Sequence, residues 1–283
     1  MEIWYKLVES LLPFEWARAD QMFFMKNALI AIILVTPIFG IIATMIVNNR
    51  MAFFSDALGH GAFTGVTIGG LLGLVRPIWS AVVFAVIFSF VITLIKNKSK
   101  ISSDTVIGVF SSVAVALGIF ISTLGGQSFT KLNVFLVGDI LSITPQEIGL
   151  VFFVSIAVII LWSLLFNKLL VVSINQSLAS SRGLNTFGIE LIFTTLVAII
   201  VTISMPWIGL LVINSFLILP AAAARNITSN VRQYHAVSVL ISVISGVGGL
   251  IFSYYIETAT GATIVLISAL FFFATFALRT RFS

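Results

Sequence analysis

Asp56 and His60 are the two side chains whose types and spacing could together hold a metal ion. They lie in the apolar, glycine-rich stretch MAFFSDALGHGAFTGVTIGGLLGLV, and in a helix a separation of four residues places both on one face. A carboxylate and a neutral imidazole suit zinc, manganese or ferrous iron. The chain has no cysteine, which excludes thiolate ligands. Two ligands are too few for a closed site, so others must come from other segments, from water or from a partner protein.

Both residues also have structural interpretations. Asp56 follows Ser55 near the start of the predicted helix, where either side chain could cap free backbone amides. His60 lies about 15 Å along the helix from Arg50, where a neutral histidine bonded to a neighbouring helix would be an ordinary core residue. An ionisable group near the centre of a bilayer costs roughly a few kcal/mol or more, so it usually faces a cavity, a partner or a transported ion. This cost favours a functional role for His60 and leaves Asp56 open between capping and binding.

The elements that must position these residues are membrane-spanning helices. Of the 283 residues, 59% are hydrophobic and 9% are charged, which leaves too little polar surface for a soluble protein of this length. Apolar stretches of about 20 residues, enough to cross the hydrocarbon of a bilayer, recur along the chain. We expect an all-α, polytopic membrane protein with eight to nine transmembrane helices. The predicted spans are 22–47, 55–75, 77–95, 104–124, 146–167, 188–205, 207–224, 233–255 and 262–279.

Other segments complete a predicted single transmembrane domain over residues 1–283. Residues 1–20 mix charges with aromatics, unlike a cleavable signal peptide, and predict an amphipathic lead-in at the membrane surface. Residues 132–145 (LNVFLVGDILSITP) are apolar but too short to cross, which predicts a re-entrant segment. Residues 205–207 (MPW) predict a tight hairpin between two spans or a kink in one broken helix. The polar stretch 168–190 is predicted to be a cytoplasmic loop, which could dock a partner or be a solvated connection between two spans.

The distribution of cations predicts the orientation. With nine spans, ten of the 15 cations fall on one side, so the positive-inside rule predicts a cytoplasmic C-terminus and an external N-terminus. Because the cations are scattered singly, topology explains the net charge of +5 and no nucleic-acid partner is expected. The ten are Arg50, Lys96, Lys98, Lys100, Lys168, Arg182, Arg225, Arg232, Arg279 and Arg281.

A repeat of glycines follows His60 in the same predicted helix. Gly61, Gly65, Gly69 and Gly73 recur every four residues, and small residues at this period let helix backbones approach closely. The repeat predicts that this face packs against another span.

Four other carboxylates have structural explanations. Asp104, Asp139 and Glu147 each lie at the start of a predicted helical segment, where capping accounts for a carboxylate. Glu257 ends the eighth span on the predicted external side, where it could belong to a mouth or gate or simply be exposed to water.

The sequence lacks three common motifs of ATP-hydrolysing and peptide-hydrolysing proteins. The phosphate loop G-x-x-x-x-G-K-[ST] is absent, as are H-E-x-x-H and G-x-S-x-G. ATP hydrolysis, if used, therefore belongs to a partner. Ion-coupled secondary transport stays open as an alternative, although inverted repeats and further buried charges are not evident. A membrane-embedded metalloenzyme is the second alternative.

The segment NNRMAFFSDALGHGAFTGVTIGGLLG closely resembles the signature of the zinc, manganese and iron permease family of ABC importers. SSDTVIG, FLVGDILSITPQEI, IGLLVINSFLILPAAAARNIT and ETATGATIVLISALFF resemble the family's later blocks, in the expected order and across nearly the whole chain. The resemblance implies a multi-pass permease of the cell membrane, homodimeric or pseudo-dimeric, with its path at the subunit interface. It also implies cytoplasmic ATPase subunits and an external metal-binding protein as partners.

The resemblance assigns individual residues. Asp56 and His60 match the Asp and His of the family's second-span motif, which implies a transient metal site. Glu257 matches an acidic position near the external end of a late span and becomes a candidate gate or third ligand. Asp139 matches the acidic position of the family's Gly-Asp pair.

Within the stretch 168–190, the segment NQSLASSRG resembles the coupling helix that sits on the ATPase. The match is imperfect, because Gln176, Ser177 and Arg182 stand where the family commonly has an acidic or charged residue before its Ala and Gly. The coupling residues carried over are Asn175, Leu178, Ala179 and Gly183.

The predicted function is therefore that of a non-enzymatic permease subunit that imports a divalent transition metal. Zinc is the first candidate and manganese or iron the next. No tightly bound cofactor is expected, since the metal ion is cargo.

Overall fold

The computed structural model describes residues 2–11, 13–18, 22–74, 76–99, 101–124 and 137–279. Within these ranges the regular elements are helices and no strand occurs. They are α1 (Glu2–Leu11), α2 (Glu15–Arg18), α3 (Phe23–Asn48), α4 (Phe54–Leu71), α5 (Ile78–Lys98), α6 (Ser103–Leu124), α7 (Pro145–Ile174), α8 (Gln176–Ser181), α9 (Thr186–Ile208), α10 (Leu210–Ile227), α11 (Val231–Ile256) and α12 (Thr260–Leu278), with a short 3-10 helix at Ile140–Ser142.

Among the described residues, eight helices are long and apolar enough to cross a membrane: α3, α5, α6, α7, α9, α10, α11 and α12. The ninth long helix, α4, carries Asp56, His60 and five glycines in its 18 residues, and most of it is buried against protein rather than exposed. This confirms the predicted all-α, polytopic membrane architecture. The number of spans among the described residues is eight without α4 and nine with it, which matches the predicted eight to nine.

Helix α4 packs between α5 and α6, and the glycine repeat makes the contact with α5. A Cβ on Gly65 would lie 2.5 Å from Ala81 Cα, and one on Gly69 would lie 2.1 Å from Ser80 Oγ. Ser80 Oγ also donates a hydrogen bond to the Gly65 carbonyl at 2.7 Å. The predicted close packing of this face is confirmed, except that Gly73 lies beyond the helix in a turn with φ +68°.

Helix α3 packs against α11 and α10 through small and hydroxyl side chains. Ser238 Oγ donates to the Gly40 carbonyl at 2.6 Å and Ser242 Oγ to the Thr36 carbonyl at 2.7 Å. Such interhelical hydrogen bonds hold spans together where lipid provides no hydrophobic contrast. Phe39 and Phe216 stack with ring centroids 6.2 Å apart, which fixes α10 beside the middle of α3.

The N-terminal helix α1 rests on the start of α3. Lys26 is completely buried there, and its Nζ donates to Glu9 Oε1 at 2.7 Å. Tyr5 donates to Asn27 Oδ1 at 2.8 Å, and Trp4 Nε1 donates to the Lys26 carbonyl at 3.1 Å. The lead-in of residues 1–20 is therefore helical in its described parts and tied to the protein, while its position at the membrane surface stays a prediction.

The predicted loop over 168–190 is wrong in its bounds. Helix α7 continues to Ile174 because Leu169–Val172 prolong its apolar run past Lys168, and α9 already begins at Thr186. The connection is therefore residues 175–185, most of which form the short helix α8.

The break predicted at residues 205–207 lies further along the chain. Pro206 belongs to the last turn of α9, and the chain breaks at Gly209, whose φ is +85°. Helix α9 packs on α5 and α7, whereas α10 packs on α12 and α3, so the two helices do not form a packed hairpin.

Candidate functional site

Asp56 and His60 lie on one face of α4, as their spacing predicts. His60 Nε2 is 3.5 Å from Asp56 Oδ2, and the side chains are 27% and 41% exposed respectively. Two ligands of one tetrahedral ion with bonds of about 2.1 Å stand roughly 3.4 Å apart. The contact is one between imidazole and carboxylate, and the two side chains are close enough together to bind one ion.

Asn214 of α10 holds Asp56 and was not singled out from the sequence. Its Nδ2 donates to Asp56 Oδ1 at 3.2 Å, which leaves Asp56 Oδ2 directed toward His60. Its own Oδ1 is buried and has no hydrogen-bond partner among the described residues. In the sequence, Asn214 stands out only as one amide side chain within an apolar run. Such a side chain usually makes a hydrogen bond between two spans.

We expect Asn214→Ala to weaken metal binding without abolishing transport. Asp56 would lose the group that orients it, and loss of a group that orients a ligand typically costs about 10–100-fold in metal affinity. The KM for metal in ATP-driven uptake should therefore rise about tenfold or more. Ser215→Ala is the matched control, because Ser215 is the next residue, is also buried and its hydroxyl has no described partner. An unchanged KM in Asn214→Ala would show that this bond does not position Asp56.

Asp56 lies in the wall of a cavity of about 770 Å³, which we call the vestibule. The rest of its wall comes from residues 137–141, residues 210–212 with Asn214, and residues 258–262. The last of these segments joins α11 to α12 at their predicted external ends. The vestibule therefore leads from the predicted external side to Asp56.

Two glycines fix this wall by direct backbone contact. A Cβ on Gly138 would lie 2.2 Å from Gly209 N, and one on Gly209 would lie 2.0 Å from the Val137 carbonyl oxygen. Both have positive φ, +71° and +85°. The contact presses the described part of the predicted re-entrant segment, residues 137–145, onto the break between α9 and α10.

Asp139 caps the short 3-10 helix, and its carboxylate accepts from Leu141 N at 3.2 Å while lining the vestibule. Glu147 makes a capping box with Thr144 at the start of α7. Capping therefore explains both carboxylates, as predicted.

The capping role predicted for Asp104 is filled by Ser102 instead. The hydroxyl of Ser102 accepts from Thr105 N at 3.2 Å, whereas Asp104 lines a cavity of about 330 Å³ together with Asp56. The sequence did not reveal this juxtaposition, because it depends on how α6 packs beside α4.

Glu257 does not join Asp56 and His60. It follows α11 in a left-handed conformation with φ +54° and lines a separate cavity of about 530 Å³. That cavity shares Leu141, Thr258 and Thr260 with the vestibule. Among the described residues, no group of three His, Asp or Glu side chains is close enough to hold one metal ion. The role of Glu257 as a gate stays a prediction.

His235 is occupied by contacts within the protein. Its Nε2 is 2.9 Å from Thr44 Oγ1 and its Nδ1 is 2.8 Å from the Val231 carbonyl oxygen. Since both ring nitrogens have partners, His235 is not available as a metal ligand in this conformation.

The four predicted coupling residues shape a compact helix-and-turn. Asn175 caps α8 by accepting from Leu178 N at 3.0 Å, and Gly183 turns the chain with φ +75°. Leu178 is 44% exposed while Ala179 is fully buried. The segment thus presents one apolar side chain outward and anchors itself with the next.

The family model described as the ABC 3 transport family matches residues 21–279. The manganese import system permease protein ScaB of Streptococcus parasanguinis is 32% identical over 91% of this chain and 91% of its own length. The high-affinity zinc uptake system membrane protein ZnuB of Haemophilus influenzae is 30% identical over 90% and 97%. The solved structure of PsaBC from Streptococcus pneumoniae in complex with Fab superposes with a TM-score of 0.77 at 30% identity, over 96% of this chain and 94% of that one. The chain therefore belongs to the ABC 3 transport family.

Proposed function

We propose that this chain is the permease subunit of an ABC importer and that it carries a divalent transition metal across the cell membrane. The observation that carries the proposal is the Asp56–His60 pair, whose facing atoms are 3.5 Å apart and whose Asp56 lies in the wall of the vestibule. The names of the manganese and zinc permeases that this chain resembles support the same function.

Zinc is the first candidate for the metal and manganese the second. Imidazole together with a carboxylate is a donor set common at zinc sites. The carboxylate oxygens of Asp56 suit manganese as well, so the cargo has to be measured.

In this mechanism an external binding protein releases the ion into the vestibule. Asp56 and His60 hold it briefly, because two protein ligands leave the remaining positions to water. Their partial exposure, 41% and 27%, leaves this face of α4 free to meet a second permease copy across the path. Glu257 would act at the outer mouth as a gate.

Partner ATPase subunits would then move α8 and the residues around it, from Asn175 to Gly183. The movement would close the vestibule, open the inner side and separate this face of α4 from the second permease copy, so that the ion leaves. A ligand-driven or ATP-driven shift of this kind requires that the two conformations differ in their affinity for the ion.

Uptake into proteoliposomes tests the proposal and identifies the cargo. The permease is reconstituted with its ATPase and binding protein, and zinc and manganese uptake are measured with ATP, with a non-hydrolysable analogue, and with an imposed proton gradient. We expect uptake of one metal with ATP only. Uptake driven by the proton gradient without ATP would instead establish the ion-coupled secondary transporter.

A further inference from the structure

Lys96, Asn97 and Glu190 form a polar cluster between the ends of α5 and α9 that are predicted to face the cytoplasm. Lys96 Nζ donates to Glu190 Oε1, and Asn97 Nδ2 donates to Glu190 Oε2 at 2.9 Å. The side chains of Lys96 and Glu190 are only 15% and 11% exposed. One turn further into the membrane, the hydroxyls of Thr93 and Thr194 are 3.0 Å apart. The two helices are therefore joined at this end by a fully paired carboxylate.

This cluster is unusual among the described residues. Only one other ion pair between a Lys or Arg and an Asp or Glu occurs in them, Lys26–Glu9, which lies at the opposite end of the protein. A pair with little solvent is costly to form and more costly to break on one side, because the remaining charge is left without a partner. Such a pair is better suited to fixing geometry than to adding stability.

The cluster is also bonded to α8. Gln176 is the first residue of α8, and its Nε2 donates to Asn97 Oδ1 at 3.1 Å. Asn97 thus accepts from α8 with one atom and donates to Glu190 with the other. A displacement of α8 can therefore reach the end of α5 through the Gln176–Asn97 hydrogen bond.

Helix α5 is in turn fixed to the helix that carries the metal ligands. Gly65 of α4 leaves no room for a side chain against Ala81, and Ser80 Oγ donates to the Gly65 carbonyl at 2.7 Å. Because packed interfaces of this kind shift as units and do not deform continuously, a movement of α5 carries α4 with it.

We propose that Gln176, Asn97, Glu190 and Lys96 form a relay that transmits displacement of α8 to α5, and through α5 to the Asp56–His60 helix. The relay rests on the proposed function, since α8 has a displacement to transmit only when a partner ATPase moves it. These four are positioning residues, because none of them contacts the metal path.

The relay is tested by measuring metal uptake and ATP hydrolysis together in proteoliposomes that contain the permease, its ATPase and its binding protein. The variants are Gln176→Ala, Asn97→Ala and the double variant. We expect the number of metal ions imported per ATP hydrolysed to fall about fivefold or more in each single variant. The double variant should be no worse than Asn97→Ala, because both changes remove the same hydrogen bond.

A second pair of variants separates the relay from general loss of charge. Lys96→Met removes the cation of the buried pair, whereas Lys98→Met removes an exposed cation from the same turn that makes no hydrogen bond or ion pair with a described residue. Lys96→Met should lower the number of metal ions imported per ATP hydrolysed, whereas Lys98→Met should not. The double exchange Lys96→Glu with Glu190→Lys keeps an ion pair at this place, so its ratio should lie above that of Lys96→Met.

The outcomes distinguish the two proposals. If the wild-type complex shows no ATP-driven uptake, the proposed function fails. If the wild type transports and Gln176→Ala keeps the wild-type ratio of metal to ATP, the relay is wrong. Additive losses in Gln176→Ala and Asn97→Ala, or equal uncoupling by Lys98→Met, would also overturn the relay.

Discussion

Asp56→Asn should reduce ATP-driven metal uptake by about a hundredfold or more, since loss of a group that only orients a metal ligand already costs about 10–100-fold. The substitution keeps the volume and the bond from Asn214, but it replaces an anionic oxygen with an amide at the atom that faces His60. A divalent ion then loses the charged ligand that this pair supplies. Uptake is measured in proteoliposomes at equal permease content.

Glu147→Gln is the matched control for Asp56→Asn. It makes the same chemical change outside the vestibule, and glutamine can replace glutamate in the capping box that Glu147 forms with Thr144. Uptake should remain normal in this variant. Near-normal uptake in Asp56→Asn would show that the ion does not depend on this carboxylate.

Gly209→Ala should be strongly destabilising, because two independent conflicts meet at this position. The backbone there has φ +85° and ψ 149°, a region that is open essentially to glycine alone. The added Cβ would also lie 2.0 Å from the Val137 carbonyl oxygen. We expect a cost of roughly 2–6 kcal/mol from backbone strain and overpacking together, seen as a fall in the melting temperature of the purified protein and a smaller folded yield.

Gly149→Ala controls for the change from glycine to alanine. Gly149 lies in α7, and a Cβ there would meet no atom within 4 Å, so alanine should leave stability unchanged or raise it by about 0.5–1 kcal/mol. A Gly209→Ala protein with the wild-type melting temperature would mean that residues 137–138 do not rest on the break between α9 and α10.

Much of the fold could be predicted from the sequence, because the physics that fixes it is local. Long apolar runs predicted the spanning helices, and the glycine repeat predicted the face on which α4 packs. The end of α7 was misplaced because one lysine interrupted the apolar pattern, although nothing prevents a helix from continuing past it. The break at Gly209 was misplaced because Pro206 is the more conspicuous helix breaker, whereas the backbone contact with Gly138 joins residues far apart in the chain.

The site could be predicted only in part, for a related reason. Asp56 and His60 lie on one helix, so their spacing alone places them together. Asn214 reaches Asp56 only through the packing of α10 beside α4. A single asparagine in an apolar span does not indicate which helix its side chain contacts. Glu257 matched the family pattern by position, yet its distance from α4 depends on how the turn after α11 is folded.

The chain has two histidines, and comparing them gives the most direct test of the proposed metal path. The measurement is ATP-driven uptake of zinc and of manganese by wild type, His60→Ala and His235→Gln at equal abundance in the membrane. We expect uptake of one metal to collapse in His60→Ala and to persist in His235→Gln, since His235 already has a partner at each ring nitrogen. Undiminished uptake in His60→Ala would contradict a metal path through the Asp56–His60 pair.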